Sequence, residues 1–339
     1  MKKSLVTSAL INGASAWYGT GHLLVARIAN DILEKESPQT IEDVEAALAV
    51  LKKSDPKLIT SEDKHPMVEC ATFADELKAK GGRYQSGWHF IDQPFLDEGD
   101  SVDDFSFKKD AHNITEAMGS LTNWFNHEGD YQSSYEYVQV MKQKDTNNNE
   151  ADGLSTALRL MIHYVGDIHQ PLHASSRVDK EYPKGDRGGN SFPLPKKDGA
   201  NELHAVWDSV AYEWTGYPTL PFSDADWKQY GEWAARLYSD YPVSDDVAQN
   251  LDVVSWAAES FKISEDFVYT GIKENEALPD EYVSKARTTA EQQIVIGGHR
   301  LANFLKSLDF SAFKNEEETD NKPTIMELLN ASLALMMKN

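Results

Sequence analysis

Only one of the 339 residues, Cys70, is a cysteine, so no intrachain disulfide can form. Nowhere does an apolar run reach the eighteen or more residues that a membrane span requires, and the body of the chain is expected to be soluble. Basic residues are scarce as well. Lys and Arg number 33 against 55 Asp and Glu, a formal net charge of −22. That balance excludes the basic clusters on which a long phosphate-backbone footprint depends. There is no internal repeat and no clear linker before residue 310. What is present is a chain that is 40% hydrophobic, with 8 Trp, 14 Tyr and 13 Phe. This supports a substantial core and argues against disorder despite the charge.

The N-terminus, "MKKSLVTSALINGASAWYGTGH", joins a basic start at Lys2 and Lys3 to a modest apolar stretch at 5–11. Ala14-Ser15-Ala16 has the small-x-small form that signal peptidase cuts. Residues 1–16 read as a signal peptide removed before Trp17, giving a secreted or lumenal protein; the alternative is an ordinary frayed terminus. Asn113 in "NIT" and Asn330 in "NAS" fit the glycosylation pattern of a chain secreted by a eukaryote.

Helical periodicity dominates. Stretches 22–35, 40–53, 67–80, 152–169 and 287–308 place apolar residues at three-to-four spacing and predict helices. The fold class is therefore all-α: a single mainly helical domain with long loops and at most a small β-hairpin. The Gly- and Pro-rich segment 182–201 is the place for that hairpin, and 97–105 reads as a solvated acidic loop. From 311 to 339 a polar tether leads into an amphipathic segment too short to cross a bilayer.

Chemistry concentrates in "HYVGDIHQPLH", residues 163–173, which holds three of the ten histidines. His163 and Asp167 are four apart on a helical pattern and so share a face. By themselves they fit either a helix-surface hydrogen bond or two ligands of one ion. Pro171 is expected to end the helix, with His173 following where the chain turns. "NELHAVWDSV" repeats the spacing with His204 and Asp208, and His173 could complete that pair. Asp75 in "TFADEL" lies among apolar neighbours, where an unpaired carboxylate is costly. His89 stands in "GWHFIDQP", and Trp17 and His22 in "WYGTGH", where cleavage would free an α-amine on Trp17. Nitrogen and carboxylate donors without thiolates suit zinc or another divalent transition metal.

In order, "WYGTGH", "ATFADELK", "WHFID", "HYVGDIHQPLH", "DRGGN" and "NELHAVWDS" resemble the class I nucleases, zinc-dependent single-strand nucleases and 3′-nucleotidases of the S1/P1 type. The likeness runs from Trp17 to about Leu301, and a nuclease domain is expected over 17–310. It implies a phospholipase C/nuclease fold and three Zn2+ ions. Asp75, His89, His163 and Asp167 match the ligands of the first, the amine and carbonyl of Trp17 with His22 and a bridging Asp167 those of the second, and His173, His204 and Asp208 those of the third. The resemblance further implies attack on phosphorus by a hydroxide between the paired zincs, with the third zinc stabilising the departing 3′-oxygen. Lys78 matches a basic residue near the phosphate, Phe90 the base-stacking aromatic, and Asp92 a carboxylate that meets the base or the attacking water. From the residues alone, Lys78 could be a solvated helix lysine and Phe90 a core residue.

The implied substrates are single-stranded nucleic acid and 3′-nucleotides, bound by a monomer. His169 is expected to support or cap the motif, Asp186 and Arg187 to pair in a turn near the third metal, and His65, His112, His127 and His299 to be ordinary surface or core residues. One rival is a zinc phospholipase C of the same fold, disfavoured by the five-residue step from Trp17 to His22, the wide gap from His173 to His204, and Asp208 where that enzyme has a glutamate. The other is a secreted zinc-binding protein without turnover.

Overall fold

The computed structural model describes residues 17–96, 101–143, 146 and 149–314. The signal peptide expected at 1–16, Asn330 and the amphipathic segment after residue 314 lie outside the described residues. Helices dominate: α1 Gly19–Glu36, α2 Pro38–Ser54, α3 Pro66–Glu69, α4 Phe73–Ala79, α5 Ile114–Phe125, α6 Tyr135–Met141 and α7 Glu150–Ile168 come first. They are followed by α8 Pro171–Ala174, α9 Leu203–Asp208, α10 Asp224–Asp240, α11 Asp245–Gln249, α12 Val253–Ile263 and α13 Asp280–Ser307. Among the described residues no helix is long and apolar enough to cross a membrane.

The organising element is α7. It is buried on every side from Asp152 to Ile168, with α2 and α5 packed along it, while α1 runs against α13 and α10. A helix that must hold polar side chains at such depth has to satisfy them. Arg159 does so completely: its guanidinium forms a two-pronged ion pair with Glu62 (2.7 and 2.8 Å) and donates to the carbonyls of Ser155 and Leu48. The end of α7 differs from expectation. Its last helical residue is Ile168, with His169 at the C-cap, and Pro171 opens the one-turn α8, where a missing N–H is tolerated. His173 is therefore a helical residue. The predicted helix at 67–80 is likewise divided into α3, a 3-10 turn at Cys70–Thr72, and α4.

Two small sheets complete the fold. Segment 182–201 supplies the antiparallel hairpin of β3 (Pro193–Lys197) and β4 (Ala200–Glu202). Its two-residue turn, Asp198-Gly199, has positive φ at both positions, as a hairpin turn of matching twist requires. The second sheet is parallel. In it β1 (Gln93–Leu96) pairs with β2 (Ser175–Val178), Gln93 opposite Ser175, and Ile91 N–H donates to the His173 carbonyl. This pairing lays the chain after His89 beside the chain after His173. Part of the expected acidic loop is a 3-10 turn at Val102–Asp104, capped by Ser101.

Candidate metal centre

Five segments meet around Asp167. The first turn of α1 supplies His22, α4 supplies Asp75 and Lys78, the 3-10 segment Arg83–His89 supplies His89, α7 supplies His163 and Asp167, and α8 supplies His173. The two Asp167 oxygens face different partners. Oδ1 lies 3.3 Å from His22 Nε2, while Oδ2 lies 2.7 Å from His89 Nδ1 and 3.3 Å from His163 Nε2. His163 Nε2 also sits 3.8 Å from Asp75 Oδ1, and His89 Nδ1 3.9 Å from it. Next to this group, His204 Nε2 is 3.5 Å from Asp208 Oδ2, and the His173 and His204 rings are 5.0 Å apart. Three sets of donor atoms thus lie within reach of one ion each: His22, His163 and Asp167; Asp75, His89 and His163; His173, His204 and Asp208.

The tautomers decide what these donors can bind. His163, His173 and His204 each place Nδ1 2.6–2.7 Å from a backbone carbonyl, of Ala71, His89 and Gly188 respectively. A carbonyl only accepts, so Nδ1 carries the proton and Nε2 presents a lone pair. His89 is fixed the other way round. Gln85 donates its amide to the Ala74 carbonyl, which turns Oε1 towards His89 Nε2 and the Tyr164 hydroxyl, both at 2.6 Å. The free ring nitrogens then face carboxylate oxygens, lone pair against lone pair. Asp167 Oδ1 and Oδ2, His89 Nδ1, His163 Nε2, His173 Nε2 and both nitrogens of His22 are buried without any hydrogen-bond partner. Such an arrangement is repulsive unless a cation lies between the groups. The donor set therefore fits a divalent metal.

Electrostatics agree. Burial holds His22 and His173 below the usual imidazole range, and burial with the Lys78 ammonium lowers His89 to about 4, so these rings stay neutral and ready to ligate. Burial also works on His163, but Asp167 and Asp75 outweigh it and raise its pKa. Burial opposes ionisation of Asp75, yet Lys78 and the imidazoles of His163 and His89 bring its carboxyl below the ordinary value. Asp208 is pushed well up by burial, against one hydrogen bond from Gln170 Nε2 at 2.7 Å.

The remaining candidates surround the donors. Fully buried Trp17 precedes Tyr18, whose N–H donates to the Asp208 carbonyl and ties the N-terminal turn to the third set. Lys78 pairs with Asp75 Oδ1 at 2.9 Å. Phe90 is half-buried and stacked on His173 with centroids 4.3 Å apart. Asp92 adopts a left-handed φ of 48°, and burial, then Asp186 and Asp110, raise its carboxyl to about 7.

The S1/P1 nuclease family matches residues 17–309. The chain belongs to that family. It is accordingly a nuclease, a hydrolase of phosphodiester bonds. Endonuclease 3 of Arabidopsis thaliana is 26% identical over 324 residues, covering 91% of this chain and 94% of the relative. Nuclease S1 of Aspergillus oryzae is 22% identical, covering 89% and 95%, and nuclease P1 of Penicillium citrinum 23%, covering 86% and 97%.

Several residues of this nuclease have roles that differ from the sequence expectation. Asp186 does not pair with Arg187. It turns inward, accepting from Arg177 N–H and the Tyr269 hydroxyl, while Arg187 is exposed; its buried carboxylate is better satisfied there than by a solvated guanidinium. The "DRGGN" turn does reach the third set, because the Gly188 carbonyl orients His204. Asn113, although in a sequon, is buried, and its side-chain oxygen caps α5 by accepting from Thr115 and Glu116 N–H. His169 fills a supporting place, with Nδ1 on the Val165 carbonyl and Nε2 facing Arg300 at 3.0 Å. Gln85 and Gln170, which orient His89 and Asp208, carry no sequence pattern that would single them out.

Proposed function

We propose that this nuclease is a secreted, zinc-dependent endonuclease that cleaves single-stranded DNA and RNA to 5′-nucleotides and dephosphorylates 3′-nucleotides, acting as a monomer with three Zn2+ ions. One observation carries the reading: buried imidazole and carboxylate lone pairs, unpartnered within the protein, converge on the two oxygens of Asp167. Asp75, His89, His163 and Asp167 Oδ2 would hold one ion. Trp17 through its terminal amine and carbonyl, with His22 and Asp167 Oδ1, would hold a second, and His173, His204 and Asp208 a third. When bound, zinc supplies Lewis acidity and lowers the pKa of water to about 7.

The chain's own groups have separable tasks. Asp167 fixes the spacing of the paired sites, and the carbonyls of Ala71, His89 and Gly188 hold three imidazoles in ligating tautomers. Lys78, already at the Asp75 carboxylate, offers an ammonium to a phosphate oxygen. Phe90 gives a base a face to stack on beside His173 and His204, which demands an unpaired strand and tolerates any base. Asp92 would contact the edge of that base or the attacking water. Three divalent ions against three aspartates leave the pocket cationic inside a chain of net charge −22, so phosphate is drawn to this pocket alone.

The test compares release of acid-soluble nucleotides from single-stranded DNA with hydrolysis of a phosphatidylcholine analogue, each with and without EDTA. The first activity is expected, abolished by EDTA and restored by zinc. Phosphatidylcholine hydrolysis would support the phospholipase instead, and a metal-loaded protein that releases no nucleotide would support a binding protein.

A further inference from the structure

We infer that Tyr217 forms a second base-stacking subsite, which takes the nucleotide on the 3′ side of the scissile phosphate; this rests on the single-strand nuclease reading above. Tyr217 is 70% exposed, uncommon for so large an aromatic in a well-packed protein. It is not on a loose loop. The Thr20 hydroxyl donates to the Gly216 carbonyl at 3.4 Å, Pro218 packs against Gly19, and the Tyr217 ring leans on Tyr18 with centroids 5.5 Å apart. Tyr18 in turn follows Trp17 and is bonded through its N–H to the Asp208 carbonyl. The ring is thereby anchored to the segment that begins the metal centre.

Beside it opens a cavity of about 160 Å³ lined by Gly19, Thr72, Asp75, Glu76, Tyr217 and Pro218. Asp75 belongs to this cavity and to the donor set of His89 and His163, so the cavity adjoins the centre. Its charged lining residues are both acids, and Glu76 is held in place by the Ser61 and Thr72 hydroxyls at 2.7 and 2.8 Å. A second phosphate is therefore disfavoured, and an uncharged planar base is the occupant that suits an exposed phenol ring next to fixed acceptors. Phe90 lies over a different donor set, that of His173 and His204, where the departing 3′-oxygen is assigned. A strand with one base on Phe90 continues past the phosphate towards Asp75, which brings its next base to Tyr217.

The experiment compares kcat/KM for a dinucleoside monophosphate with kcat/KM for a 3′-mononucleotide, which ends at the phosphate and has no second base. In Tyr217→Ala the ratio of the two is expected to fall about tenfold, within the range of ~1–3 kcal/mol for one stacked base at ~1.4 kcal/mol per factor of ten. Tyr217→Trp is expected to restore it. As a readout independent of turnover, the emission gained in Tyr217→Trp should be quenched by a phosphorothioate dinucleotide and not by the 3′-mononucleotide. An unchanged ratio, equal losses on both substrates, or no selective quenching would overturn the subsite while leaving the nuclease reading in place. Wild-type protein that cleaves neither substrate would overturn both.

Discussion

At Gly166 a single hydrogen atom decides whether α7 can approach α1. A methyl group there would overlap the His22 imidazole, which cannot swing aside because it is stacked on His163 at 3.8 Å and faces Asp167. Alanine is intrinsically better than glycine in a helix by ~1 kcal/mol, but the overlap works against that gain with ~1–3 kcal/mol of overpacking. Gly166→Ala is expected to lower both the midpoint of thermal unfolding and the zinc content; an unchanged metal content would show that His22 is not a ligand. His169 makes a pH prediction. Burial, and then Arg300, lower its pKa to about 3, from an ordinary value near 6.5; Glu259, 2.8 Å from Arg300, completes the cluster. The unfolded chain therefore binds the proton first, so this contribution is whole above pH 6.5 and is lost as the pH falls towards 3. In metal-free protein, His169→Gln should flatten the decline of stability between pH 6.5 and 4, read by denaturant titrations at stepped pH.

Between α7 and α8, three residues connect two helices and set the third donor group. Gln170 caps α8 by accepting from Leu172 N–H at 2.6 Å while its amide donates to Asp208. Gln170→Ala removes both contacts and should weaken binding at the His173, His204 and Asp208 set about 10–100-fold, measured by zinc titration. Retained affinity would mean that Asp208 is oriented by other means. How well these elements could be read from sequence followed the range of the interactions that make them. Amphipathic periods located α1, α2, α7 and α13, and Gly with Pro located the hairpin, because those signals are local. The parallel β1–β2 pair was not legible: each strand has four residues, and the partners are joined through a contact distant in sequence. Pro171 was taken for a stop and is a start, a distinction that depends on whether its missing N–H falls in a first turn. The donor residues were legible through paired i,i+4 spacing and motif order. Gln85, Gln170 and the carbonyls that set the tautomers were not, since an orienting hydrogen bond has no spacing rule.

Across the whole molecule, a strongly acidic chain encloses a pocket whose own lone pairs repel one another, and the same cations would resolve both the pocket's repulsion and the protein's poor attraction for phosphate. This links the fold to its activity: α1, α4, α7, α8 and α9 can bury these side chains together only if something positive joins them. Asp167 stands at the junction, with one oxygen towards each of the paired sites. The most direct test is elemental analysis of zinc in purified mature protein, paired with Asp167→Asn. The account predicts three ions per chain, falling to one in the variant. A wild-type chain that holds a single ion, or a variant that keeps all three, would contradict it.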